Sequence, residues 1–149
     1  MVVWIPAFAG MTNIIYMKLT IYTDGGARGN PGPAAIGVVI KDALGKTLAE
    51  YGEYLGRQTN NYAEYSALIF ALKKAKELGA TEVECILDSE LVTKQMNRQY
   101  KVKEPTLQKL FIQAFNAASA FKKISFKHTL REGNKEADRW VNHILDERR

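Results

Sequence analysis

Along residues 18–24, KLTIYTD, apolar and polar side chains alternate with a period of two, which predicts a half-buried strand. The glycines and prolines at 25–33 predict its end. Two further strand-like runs follow, AAIGVVIKD at 34–42 and KTLAEYGEYLG at 46–56, joined in a hairpin around Leu44 and Gly45. From Asn60 to Leu78 the pattern changes: Ala63, Ala67, Leu68, Ala71, Leu72 and Ala75 recur at helical spacing, and Gly79 supplies a stop. Residues 82–88 read as a fourth strand, 89–97 as a short helix, 105–121 as a longer helix begun by Pro105, and 123–130 as a fifth strand. A closing helix is expected at 135–147 with Asn134 as its cap. The order βββαβααβα predicts an α/β fold: a mixed five-stranded sheet flanked by helices, its first three strands an antiparallel meander. The first, fourth and fifth strands are linked through helices and are therefore expected to run parallel.

Residues 1–16, MVVWIPAFAGMTNIIY, are apolar but interrupted by Pro6, Gly10, Thr12 and Asn13. That run is too broken to span a bilayer, which takes about 20 apolar residues. It also lacks the basic start of a secretory signal. Met17 stands directly before the first strand, so 1–16 are expected to be a non-functional extension or loose arm, with a short interaction segment as the alternative. Residues 17–149 contain no repeat or linker and read as one domain.

Composition narrows the picture further. The 149 residues are 46% hydrophobic, enough for a single core. There are 21 Lys and Arg against 16 Asp and Glu, a net charge of +5, and since 1–16 carry no charged side chain it all sits on 17–149. A basic balance favours a polyanionic partner. The lone cysteine, Cys85, excludes an internal disulfide and a cysteine-built zinc site, and its apolar setting in VECIL marks a core residue. A reducing cytoplasm fits this usage, with no membrane partner and a monomeric state expected.

Four acids stand out against the pattern. Asp24 and Asp88 each close a strand expected to be parallel, and the carboxyl ends of such strands are where sites gather in open α/β sheets. Glu64 is in phase with Leu68, Ala71, Leu72 and Ala75, on the stripe that faces the core, where an unpaired carboxylate is costly. Asp138 lies three and seven residues before Val141 and Leu145, at the edge of the buried face of the last helix. If the four converge, their mutual repulsion needs a cation. A carboxylate set without histidine or cysteine selects hard ions such as Mg²⁺ or Mn²⁺. Two such ions about 4 Å apart suit in-line attack on a phosphodiester.

The segments TDGGARGNPGPAAIGVVI (23–40), TNNYAEYSALIFAL (59–72), LDSELV (87–92) and NKEADRW (134–140) together resemble the four signature segments of the ribonuclease H family, type 1 class. The resemblance covers 18–149 and implies a ribonuclease H-like sheet. It also implies an endonuclease that cuts the RNA strand of an RNA·DNA hybrid with two Mg²⁺ ions, for which Mn²⁺ can substitute, leaving 3′-hydroxyl and 5′-phosphate ends. Carried over by position, the catalytic and metal-holding carboxylates are Asp24, Glu64, Asp88 and Asp138. Expected substrate contacts are Gly25, Gly26 and Asn30 in the loop after Asp24, whose bare backbone suits close approach to a nucleic-acid chain. A purely structural role for those glycines in a tight turn is the alternative. A nucleotide P-loop is excluded, since no GK[ST] follows. Asn60 and Asn61 match the family's paired asparagines at the minor groove, where 2′-hydroxyls distinguish RNA from DNA; helix capping is their plainer role. Arg57 and Thr59 fall where some members hold a DNA phosphate.

The sequence also departs from the family. Many members carry a histidine on a loop before the last aspartate. Here His128 alternates with Ile124 and Phe126 and is expected on the core side of the fifth strand, leaving Arg131 nearest the missing imidazole. The segment 97–105 is much shorter than the basic protrusion of some members, so that Lys94, Arg98, Lys101 and Lys103 supply weaker attraction. Glu90 follows Asp88-Ser89 where a neutral amide is frequent. Another nuclease of the superfamily and a catalytically silent hybrid-binding module are the rival readings.

Overall fold

The computed structural model describes residues 2–5 and 14–148. Its strands are β1 (Val2–Ile5), β2 (Ile14–Ala27), β3 (Gly32–Asp42), β4 (Thr47–Gln58), β5 (Glu82–Leu87) and β6 (Lys123–His128). The helices are α1 (Asn60–Glu77), α2 (Glu90–Met96), α3 (Pro105–Ala118) and α4 (Lys135–Asp146), the last preceded by a 3₁₀ turn at Arg131–Asn134. The central sheet has the order β4-β3-β2-β5-β6. The β2–β3 and β3–β4 pairs are antiparallel, whereas β2–β5 and β5–β6 are parallel, as the connections require. This is the five-stranded mixed sheet expected from the pattern. The β3–β4 hairpin turns at Gly45, which adopts φ +85° while the Asp42 carboxylate accepts from the Leu44 and Lys46 amides.

Residues 2–5 form a sixth strand, pairing antiparallel with 14–17 away from the path of the main sheet. The rest of the expected extension, residue 1 and residues 6–13, lies outside the described residues. Its paired part is fastened where β2 enters the sheet: the Tyr16 hydroxyl donates to Glu82, and the Met17 amide donates to Thr81 at 3.1 Å.

One apolar core lies between the sheet and α1 with α3. Leu19, Ile21, Val38, Ile40, Leu68, Leu72, Val83, Cys85 and Leu87 are all buried there. Burying each such side chain contributes roughly 1.5–3 kcal/mol. The opposite face of β2, β3 and β4 is covered by α4 through Ala137, Val141 and Leu145, spaced four residues apart on one stripe. Two glycines set how closely these helices approach. A Cβ on Gly25 would lie 2.2 Å from the Ala63 carbonyl carbon of α1, and one on Gly37 would lie 2.1 Å from the Ala137 oxygen of α4.

Two expectations need correction. The first strand does not stop at Asp24: β2 continues through Gly25 and Gly26 to Ala27, because β3 pairs with that stretch residue by residue. His128 is not on the core side. It is exposed at the end of β6, since β6 is the sheet's edge strand and stops there, two residues short of the expected 130.

Candidate active site

The parallel ladder between β2 and β5 ends at the pair Thr23 and Leu87, so Asp24 and Asp88 are the next residues on two adjacent strands. Their proximity is a consequence of register. Asp24 is 6% exposed, and its cross-strand partner Gly37 carries no side chain to separate it from α4. Glu64 comes from the second turn of α1, which the Gly25 contact brings against the β2 backbone, and it is 9% exposed. One carboxylate oxygen from each of Asp24, Glu64 and Asp88 lies within 4.8 Å of the others. Asp138, one residue past the buried Ala137 on α4, lines the same cleft and faces Asp24, and its carboxylate also accepts from the Asn142 amide at 3.3 Å. The structure thus brings all four expected acids to one place, three of them tightly.

The electrostatics follow from that crowding. Burial pushes the Asp24 carboxyl up from 3.8 to about 8, with the Asp88 charge and the proximity of Asp138 adding to it. Burial also holds Glu64 well above the ordinary range, reinforced by Asp24 and Asp88, while the Gly25 N–H, donating to Glu64, works the other way. Asp88 is raised by burial too, offset by hydrogen bonding with Asp24, by the Arg131 cation and by the Asn134 side chain. Glu64 Oε2 and Asp88 Oδ1 are buried and have no hydrogen-bond partner in the protein. Orphaned oxygens on mutually repelling acids are the donor set a hard divalent cation takes.

The other expected site residues divide. Gly26, Asn60 and Arg131 line the cleft with the acids, as does Gly25 through its backbone. Gly25 lies within β2 rather than in the tight turn offered as the alternative, and α1 leaves no room there for a Cβ. A Cβ added at Gly26 would lie an ordinary 3.5 Å from the Val141 side chain, so packing does not require glycine there. Asn60 does not cap α1: Thr59 does, its hydroxyl accepting from the Tyr62 amide at 3.2 Å. The Asn60 side-chain oxygen instead accepts from the Ala27 amide at 2.8 Å, and the Asn30 side-chain oxygen accepts from the Asn60 backbone amide at 3.0 Å. Those two bonds tie the loop after β2 to the start of α1. Arg57 is exposed near the end of β4, and neither it nor Thr59 or Asn61 lines the cleft.

Two residues escaped the sequence reading. Arg28 lines the cleft and pairs with Asp146 at 2.7 Å. Asn134, expected as the α4 cap, makes no cap hydrogen bond; it is buried, and its amide donates to the Thr23 carbonyl at 2.8 Å. A polar residue four before Asp138 was visible in the sequence, but a partner 111 residues away was not.

Fold and site together define an α/β protein built around a buried cluster of acids at the carboxyl end of its parallel ladder. Over residues 22–144 the sequence matches the family described as "Reverse transcriptase-like". A bifunctional protein of Mycobacterium tuberculosis is 48% identical over 131 residues, 87% of this chain but only 36% of that protein's length. The crystal structure of RNase H1 from the halophilic archaeon Halobacterium salinarum superposes with a TM-score of 0.85 at 40% identity, covering 87% of this chain and 98% of that one. LC11-RNase H1, solved in complex with an RNA/DNA hybrid, gives a TM-score of 0.83 at 48% identity over 87% of this chain and 97% of that one. The chain belongs to the ribonuclease H family, type 1.

Proposed function

We propose that this chain is an endonuclease that hydrolyses the RNA strand of RNA·DNA hybrids by a two-metal-ion mechanism, giving 3′-hydroxyl and 5′-phosphate ends. The observation that carries the reading is the juxtaposition of Asp24 and Asp88 by strand register, with Glu64 brought within 4.8 Å. Support comes from the 48% identical LC11-RNase H1, solved in complex with an RNA/DNA hybrid.

In this reading Asp24, Glu64, Asp88 and Asp138 hold two Mg²⁺ ions, with Mn²⁺ as a substitute. Bound divalent cations supply charge neutralisation at the phosphodiester and activation of the attacking water. Asp24, buried beside Glu64 and Asp88, would supply one of the carboxylate donors to such ions. Arg131, at the Asp88 end of the cleft, presents a cation to the phosphate of the strand being cut. The Asn60 amide and the Gly26 backbone line the cleft where the sugar edge passes, and their task is to admit a strand bearing 2′-hydroxyls. Arg57, Thr59 and Asn61, away from the cleft, serve the DNA strand and the groove beyond. The protein acts as a cytoplasmic monomer.

The test is cleavage of an end-labelled hybrid, compared with duplex DNA and duplex RNA, with and without a chelator. Cleavage confined to the hybrid's RNA strand, reversibly lost in EDTA and absent in Asp24→Asn, is the expected result. Hybrid binding without cleavage at any Mg²⁺ or Mn²⁺ concentration would leave only a binding module.

A further inference from the structure

Beyond the four acids, one buried polar residue near them is explained by neither helix capping nor packing. Asn134 closes the 3₁₀ turn ahead of α4 and is 2% exposed. It occupies the cap position but leaves the first-turn amides of α4 without a side-chain bond. Its side-chain amide donates instead to the carbonyl of Thr23, the residue immediately before Asp24, at 2.8 Å. The same side chain lies beside Asp88. The Asn134 carbonyl oxygen and the neighbouring Thr23 hydroxyl are both buried without a hydrogen-bond partner. A buried amide is costly unless its bonds are worth having.

Its position gives the reason. Asp138 is one helical turn beyond Asn134, about 6 Å along the axis. The α4 helix is seated on the sheet at Gly37, the cross-strand partner of Asp24, against the Ala137 carbonyl. The body of α4 is held further along by Glu136 with Lys41, Trp140 with Glu50 and Asp146 with Arg28. The Asn134–Thr23 bond is the side-chain tie at the start of the helix, the end that carries Asp138, and it fastens that end to β2 beside Asp24. We infer that Asn134 is a positioning residue, which holds Asp138 at working distance from Asp24 and Asp88. The inference rests on the reading of these acids as cation ligands. Groups that orient ligands through hydrogen bonds typically change metal affinity or activity by roughly 10–100-fold when removed.

The experiment uses the full chain with Asn134→Ala and Asn134→Ser, the latter keeping one hydroxyl donor at shorter reach. Mn²⁺ binding is followed by calorimetry without substrate, hybrid cleavage is resolved into kcat and KM, and melting is recorded in EDTA. Asn134→Ala is expected to weaken Mn²⁺ binding and lower kcat by at least about tenfold, with KM for hybrid changed less than about twofold. Asn134→Ser should fall between it and wild type, and both should melt cooperatively. Folded variants with wild-type Mn²⁺ affinity and kcat overturn the inference, as does failure of both to fold, which makes Asn134 a packing residue only. A wild-type protein that bound no Mn²⁺ would remove the cation-ligand reading and this inference with it. Wild-type binding with unchanged variants removes the role of Asn134 alone.

Discussion

Asp24 sits where burial and two neighbouring acids act in one direction, and its pKa rises from 3.8 to about 8. An acid whose folded-state pKa lies above its unfolded value binds more protons in the native protein between those two values. Stability is therefore greatest below about pH 4 as far as this group is concerned, and falls as pH rises toward 8. In EDTA the melting temperature should drop across that window, and Mg²⁺ should offset the loss most strongly at the alkaline end. Asp24→Asn removes the charge that the fold disfavours. It should raise the melting temperature in EDTA near pH 8 by about 3–6 °C, corresponding to roughly 1–2 kcal/mol, with little difference near pH 4. Turnover should be abolished in the same variant. Calorimetric melting at the two pH values, together with the cleavage assay, checks both halves. A variant equally destabilised at both would mean that Asp24 contributes packing rather than suppressed charge.

At the scale of elements, the site depends on two helices lying on bare backbone. Gly37→Ala places a methyl group 2.1 Å from the Ala137 oxygen, so α4 must lift or tilt, and Asp138 moves with it. Overpacking of this kind costs about 1–3 kcal/mol. The expected outcome is a melting temperature lower by several degrees together with a larger loss of cleavage than the stability change explains. Gly45→Ala serves as the comparison. That turn glycine has φ +85° but no heavy atom near its missing Cβ, so the strain it adds is local and activity should remain. Urea denaturation and hybrid cleavage on both variants separate the effects. Loss of activity in Gly45→Ala equal to that in Gly37→Ala would refute the link between α4 seating and the site.

For the whole molecule, charge and length govern how substrate is held. The net +5 is modest, and the α2–α3 connection is short, with Arg98, Lys101 and Lys103 exposed along it. Proteins making 6–10 phosphate contacts lose about 10³–10⁵ in affinity between 50 and 200 mM salt. This chain should lose less than about a thousandfold over that range, measured by fluorescence anisotropy of labelled hybrid in Ca²⁺ or EDTA. At the far end of β2, the β1 pairing involves residues 14–17, whereas the site begins at Asp24. A chain starting at Met17 should keep kcat/KM within about twofold, while losing the Tyr16–Glu82 bond and a few degrees of melting temperature. A larger fall in kcat/KM would give the extension a functional role.

Much of this was legible in the sequence because it depends on local period. Strand alternation fixed which faces are buried, connection type fixed which strands run parallel, and Glu64 revealed itself as an acid on an apolar stripe. Where the sequence misled, a distant partner had overridden a local signal. Gly25 and Gly26 read as a strand end but lie within β2 because β3 pairs with them, and His128 read as buried although it is exposed where the edge strand β6 ends. Residue order alone determined the carboxylates and the order of elements that carries them. Only the tertiary structure decided that Thr23 pairs with Leu87, setting Asp24 beside Asp88. It also decided that α1 and α4 rest on glycine backbone and that Asn134 reaches Thr23 instead of its own helix. These are distances between segments far apart in the chain, and they are set by packing, which no local pattern encodes.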